Sequence, residues 1–148
     1  MKDRRKVAIK VKQEHLKQIK AHGERAYPHE CCGFLLGKRE SETNVLVETY
    51  AAENERQDSR ETRYLITPDQ YKRADDYARN RALGVIGYYH SHPDHPAAPS
   101  GYDLDHSCWP GESYMIVAVE HGKAAALNSF TKPDYTRFEQ EEIVIDQP

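Results

Sequence analysis

The sequence predicts an α+β domain, a mixed β-sheet with helices packed against it, formed by residues 1–148 as one unit. Short apolar runs, alternating or bounded by glycines, recur along the chain and read as strands. Two longer segments instead place apolar residues at three- and four-residue intervals, which is helical spacing. The order is strand, helix, several strands, helix, strands, not the strict alternation of a parallel α/β sheet.

Val7, Ile9 and Val11 alternate as a half-buried first strand. Over 13–26, Leu16, Ile19, Gly23 and Ala26 mark one helix face, and Tyr27-Pro28 ends the helix. Residues 32–37, Cys-Gly-Phe-Leu-Leu-Gly, read as a buried strand; a polar turn over 38–43 joins it to another at 44–52. The charged stretch 53–62 reads as a mobile connection, followed by a short strand at 63–66. Thr67-Pro68-Asp69 is a helix start, with Thr67 as N-cap and Pro68 at the first helical position. That helix runs to about Arg81, with Tyr71, Ala74 and Ala78 inward and Arg79 and Arg81 suiting its C-terminal end. Residues 85–90 form a buried strand and 100–108 a short helix. Two strands, 114–120 and 124–130, flank a tight turn at His121-Gly122, and 142–145 is a last short strand.

Several function classes are excluded by composition. The chain carries 24 acidic and 21 basic residues, interspersed, for a net charge of −3, so it lacks the basic face of a nucleic-acid binder. No apolar run approaches the ~20 residues that cross a bilayer. The basic start, Met1 to Lys6, precedes an apolar stretch too short for a signal-peptide core, so a cytoplasmic location is expected. Cys31, Cys32 and Cys108 suggest no disulfide framework and are expected to be reduced.

The chemistry concentrates in Tyr88-Tyr89-His90-Ser91-His92-Pro93 and the loop that follows. Alternate residues of a strand share a face, so His90 and His92 can address one point, and Pro93 tends to end ladder pairing. Asp103 lies within loop reach. Two imidazoles and one carboxylate suit a catalytic zinc with a fourth position for water, whereas a solvated strand end would bind nothing; spacing leaves both open. Asp94, His95, Asp105 and His106 are further ligands in the same stretch, of which Asp94 and His95 read as outer or solvent groups. Ser100-x-x-Asp103 also reads as a helix cap. Hydrolysis needs a base. His29-Glu30 fails the H-E-x-x-H pattern, since position 33 is glycine, but Glu30 precedes a buried strand that could lie beside the histidines. The bland account of Glu30 is an exposed strand-edge carboxylate. Cys31 reads as a small buried hydrophobe rather than a nucleophile.

His90-Ser91-His92, seven residues, Ser100, two residues, Asp103 resembles the signature of the JAMM (MPN-plus, Mov34/PAD-1) metalloproteases. Pro28-His29-Glu30-Cys31-Cys32-Gly33-Phe34-Leu35-Leu36-Gly37 is similar to that family's P-x-E-x-C-G-x-L-x-G segment. The resemblance implies the cytidine-deaminase-like MPN/JAMM fold, its sheet partly barrel-like. It implies one zinc ion (Zn2+) held by His90, His92 and Asp103, Glu30 as general acid/base, and Ser100 as hydrogen-bond donor to the oxyanion. Ser91, pointing to the other face, has no catalytic role.

The family cleaves peptide or isopeptide bonds after ubiquitin-like C-terminal tails. The short chain looks like its compact prokaryotic branch, whose substrates include small sulfur-carrier proteins. A sheet edge would hold the extended tail by strand addition, although no residue pattern shows which edge. Two other classes stand beside this one: a non-catalytic MPN-type interaction scaffold, and a zinc hydrolase of cell-wall peptides. A scaffold would be free to lose the set Glu30, His90, His92 and Asp103, which is complete here.

Overall fold

A computed structural model describes residues 8–106 and 112–146. Val7 and the basic N-terminus, Cys108, Trp109-Pro110-Gly111 and the final Gln147-Pro148 lie outside the described residues. The elements are β1 (Ala8–Val11), α1 (Gln13–Ala26), β2 (Cys32–Arg39), β3 (Thr43–Ala52), α2 (Pro68–Arg79), β4 (Gly84–Pro93), α3 (Gly101–His106), β5 (Ser113–Glu120), β6 (Lys123–Asp134) and β7 (Arg137–Ile145). Strand order is β1-β3-β2-β4-β5-β6-β7, and β7 pairs back in parallel with β1 to close a barrel. β4 pairs antiparallel with β2 and parallel with β5, so both its edges are used.

The apolar run in β2 is continuous because both of its faces are buried. Leu35 meets Ile19 of α1, Ile86, Met115 and Val117 in one cluster; Phe34 and Leu36 meet Ala74 and Ala78 of α2 and Val85 in another. α1 is rotated slightly from its predicted face: His15, Ile19 and Gly23 are buried, and Leu16 and Ala26 only partly. His15 accepts from the Lys12 N–H at Nδ1 (3.0 Å), which leaves Nε2–H to donate to the Val47 carbonyl (2.9 Å) and ties the helix start to β3. In α2, Thr67 caps as expected, accepting from the Gln70 N–H at 3.2 Å. Gln70 turns inward to donate to the Glu53 carbonyl (2.8 Å), and Tyr71 is exposed, against expectation.

Three further expectations change. Residues 63–66 are not a strand, because their backbone groups bond to a side chain instead of a ladder. Asn54 donates to the Arg63 carbonyl (3.0 Å) and accepts from the Leu65 N–H (3.0 Å), and Glu55 N–H reaches the Leu65 carbonyl (3.1 Å). The stretch 53–62 is accordingly a fastened strap, not a loose connection. β7 begins earlier than its apolar residues suggest; in its charged first half Glu141 is buried and accepts from the Ser129 hydroxyl at 2.6 Å. Among the described residues no helix is long and apolar enough to cross a membrane.

Gly87 lies where β4 and β5 approach: a Cβ there would stand 2.0 Å from the Ser113 carbonyl oxygen. Backbone cannot yield that far without moving the strand that carries the histidines. Gly87→Ala is expected to destabilise the protein by about 3 kcal/mol or more, measured by urea unfolding; a loss under ~1 kcal/mol would contradict this packing.

Candidate metal centre

β4 delivers His90 and His92 to one face, both buried, and sends Ser91 to the other. Ser91 Oγ accepts from the Cys31 N–H (2.8 Å) and its own N–H donates to the Cys31 carbonyl (3.2 Å). Ser91 thereby pins the start of β2 against β4. Cys32 lies opposite His90 in this antiparallel pair, and Glu30, two residues before Cys32, stands close enough to Asp103 to feel its charge. Directly opposed residues share a face, so Cys32, His90 and His92 line one floor, and the buried Glu30 lies beside it within reach of the Asp103 charge.

Three ligand atoms converge there. His90 Nε2 is 3.1 Å from His92 Nε2 and 3.3 Å from Asp103 Oδ1, and His92 Nε2 is 3.1 Å from Asp103 Oδ2. Ligands at ~2.0–2.1 Å from a tetrahedral metal stand about 3.3 Å apart, so the trio has the spacing of three corners of such a shell. His92 Nδ1 faces the Pro96 carbonyl at 2.8 Å, an acceptor, which places the proton on Nδ1 and a lone pair on Nε2. Burial lowers the His90 pKa, favouring the neutral form that binds metal, although Asp103 pulls the other way. Burial would raise the Asp103 carboxyl, but the His90 and His92 imidazoles and the Ser100 N–H outweigh it and hold it well below the usual range. A carboxylate and inward lone pairs, all buried, fit a cation.

Asp103 is aimed by the start of α3. Its N–H donates to Ser100 Oγ (3.0 Å), and the Ser100 N–H returns to Asp103 Oδ2 (2.9 Å), the reciprocal cap that the spacing predicts. Ser100 Oγ is an acceptor in that cap, so its hydroxyl proton stays available to donate.

Glu30 is not an exposed edge residue: it is 4% exposed, and Oε1 has no hydrogen-bond partner. Burial, with the Asp103 charge second, pushes its pKa up to about 9. Its backbone is held on both sides, N–H to the Arg60 carbonyl (2.7 Å) and carbonyl to Asn54 Nδ2 (3.1 Å). Cys31 belongs to the core cluster beneath α1, and burial pushes its thiol up to about 11, which makes it a poor nucleophile. Cys31 and Cys32 are both free thiols.

Of the other candidate ligands, Asp94 and His95 are engaged elsewhere. Asp94 accepts from the Tyr27 hydroxyl (2.6 Å) and the His121 N–H (2.8 Å), clasping the end of α1 to the β5–β6 turn. His95 bonds the Pro93 carbonyl. The side chains of Asp105 and His106 lie outside the described residues. Sequence reasoning missed Tyr64, whose ring stacks on His90 with centroids 4.6 Å apart. The only signal was an aromatic residue at the end of a charged stretch.

Residues 12–131 match the family described as prokaryotic homologs of the JAB domain. The chain is 31% identical over 112 residues to the probable TtuB-protein conjugate cleaving protease of Thermus thermophilus, covering 76% of this chain and 71% of that protein. It is 28% identical over 93 residues to the desampylase of Haloferax volcanii (63% of this chain, 65% of that protein). It is 29% identical over 93 residues to tail tip assembly protein K of Escherichia phage N15, of which it spans 34%. A solution structure of a Salinibacter ruber protein, 43% identical, superposes with a TM-score of 0.75 over 94% of this chain and 92% of that one. A JAB1/MPN domain protein from Archaeoglobus fulgidus, 20% identical, shares the fold with a TM-score of 0.57 over 91% of this chain and 98% of that one.

A mixed closed barrel with α1 packed against it, and a buried His-His-Asp group that could hold a metal, define a JAB1/MPN-type fold. The chain belongs to the family of prokaryotic homologs of the JAB domain.

The raised Glu30 pKa makes the metal-free protein sensitive to pH. The folded state keeps a proton, up to about pH 9, that the unfolded chain releases near 4.5, so stability falls as pH rises between these values. With chelator present, Glu30→Gln is expected to unfold at a higher temperature than wild type at about pH 8, with the difference closing near about pH 4. A difference that does not vary with pH would contradict the buried, protonated carboxyl.

Proposed function

We propose that this chain is a zinc metallopeptidase that hydrolyses the peptide or isopeptide bond following the C-terminal tail of a ubiquitin-like or sulfur-carrier protein. The convergence of His90, His92 and Asp103 at 3.1–3.3 Å, with the buried carboxyl of Glu30 within electrostatic reach of Asp103, carries this reading. Family membership supports it, as do the names of the Haloferax and Thermus relatives. The intact set of buried groups argues against a non-catalytic scaffold, in which a buried carboxylate without a partner for one oxygen would be a cost without a use.

His90, His92 and Asp103 would hold the zinc, an N,N,O set that suits this ion and leaves one corner open. Bound there, zinc supplies a Lewis acid that polarises the scissile carbonyl, acidifies water and, through its charge, offsets the burial that keeps Glu30 protonated. Glu30, with one unengaged oxygen, takes the proton of the attacking water and passes it to the departing amine. Ser100 donates its hydroxyl proton to the carbonyl oxygen as negative charge develops. The cap with Asp103 fixes the Ser100 backbone for this task. His92 is kept in its ligand tautomer by Pro96.

A second reading, a zinc hydrolase of cell-wall peptides, draws on the similarity to the phage tail tip assembly protein. Ubiquitin-like proteins carrying short C-terminal extensions, and cell-wall peptides in parallel, should be incubated with the protein and the products weighed by mass spectrometry. Cleavage directly after the ubiquitin-like tail is expected, and cleavage of cell-wall peptides alone would replace the first reading by the second.

One zinc per chain is expected by metal analysis, with activity lost to chelator and restored by zinc. Glu30→Gln should keep its metal and lose at least ~100-fold in kcat, whereas His92→Ala should lose both. Wild-type turnover in Glu30→Gln would remove Glu30 from its role.

A further inference from the structure

The two histidines of the centre are held in different ways. His92 has a hydrogen bond at each ring nitrogen, with Nδ1 fixed by the Pro96 carbonyl. His90 uses Nε2 toward His92 and Asp103, and among the described residues no hydrogen bond reaches its Nδ1. A metal-binding imidazole needs its ring plane fixed, because rotation about the χ angles swings the lone pair away from the ion. Against His90 lies the Tyr64 ring, 4.6 Å away between centroids and tilted by 26°, a stacked arrangement.

Tyr64 is itself rigidly presented. Asn54 bonds the Arg63 carbonyl and the Leu65 N–H, the backbone groups of the residues on either side of Tyr64. Arg63 lies over the Tyr102 ring, 4.5 Å from its centroid, and Arg56 Nη1 donates to the Tyr102 hydroxyl at 2.7 Å. Tyr102 immediately precedes Asp103. The same strap binds the Glu30 N–H through the Arg60 carbonyl. A single segment therefore touches one ligand directly, the chain neighbour of a second, and the backbone of Glu30.

We propose that Tyr64 is a positioning residue for the metal: by stacking on His90 it holds Nε2 toward the other two ligands, in place of the Nδ1 hydrogen bond that His92 has and that no described residue gives His90. This rests on the metal-centre reading given under Proposed function. The ring is what acts, not the hydroxyl. Substitutions at this position should therefore sort by aromaticity.

The test is zinc affinity, measured by competition with a chromogenic chelator, for wild type, Tyr64→Phe, Tyr64→Leu and Tyr64→Ala. Unfolding of each metal-free variant is recorded alongside. Tyr64→Phe is expected to match wild type, and Tyr64→Leu and Tyr64→Ala to bind zinc ~10-fold more weakly. Cobalt(II) loaded in place of zinc should show a displaced visible absorption band in Tyr64→Leu but not in Tyr64→Phe. Leucine fills the space without a ring, so the Leu–Phe comparison decides the matter even if Tyr64→Ala does not fold. Equal zinc affinity in the Leu and Phe variants, or a Phe variant as weak as Leu, overturns the role of Tyr64. A wild-type protein that takes up no zinc overturns the metallopeptidase reading itself, a result distinct from either.

Discussion

The antiparallel register of β2 on β4, with Cys32 facing His90 and Ser91 gripping both backbone groups of Cys31, is the constraint behind the rest of the site. Strand side chains alternate, so a slip of one residue would turn Glu30 away from the floor and bring Cys31 onto it. The flanking elements guard against that slip. α1 and α2 bury opposite faces of the β2–β4 pair, so any shift would expose apolar groups on both sides at once. The polar floor thus inherits its geometry from two hydrophobic clusters that contain no ligand.

The floor concentrates ionisable groups that are largely withdrawn from solvent, which is costly unless each group is compensated. The compensation is unequal. Asp103 has the imidazoles and the Ser100 N–H, whereas Glu30 Oε1 has no partner and stays protonated in the absence of a cation. Ordinary folding pressure would remove such a carboxyl. A buried carboxyl next to Asp103 suits chemistry better than stability.

Much of the site could be read from the sequence because its parts lie at short, rigid spacings. Alternation on one strand puts His90 beside His92, and Ser100-x-x-Asp103 is a helix cap whatever else it does. Glu30 could be offered as a candidate from its place before a buried strand, and the resemblance gave it a role; local spacing alone could not assign it, since its nearness to Asp103 depends on folding across more than seventy residues. Tyr64 was not legible: the charge around it reads as solvated loop, and only the structure shows Asn54 supplying the hydrogen bonds that a strand would have supplied. His15 and Gln70 were likewise missed because polar residues score as surface, although each is buried to satisfy a carbonyl of another segment. The barrel's closure through the parallel β1–β7 pairing leaves little trace in the polar residues of β7.

Closure of the sheet also bears on which surfaces remain open to another chain. With β2 on one side of β4 and β5 on the other, the histidine strand has no free edge to offer a visiting chain, so the strand addition expected from the sequence does not apply there. Main-chain pairing accepts nearly any sequence, whereas side chains choose. The strap and the start of α3, which touch the floor from outside the ladder through Tyr64 and Asp103, are made of side chains rather than an open edge. Those segments can change from one relative to another without disturbing a single rung of the barrel that carries the centre.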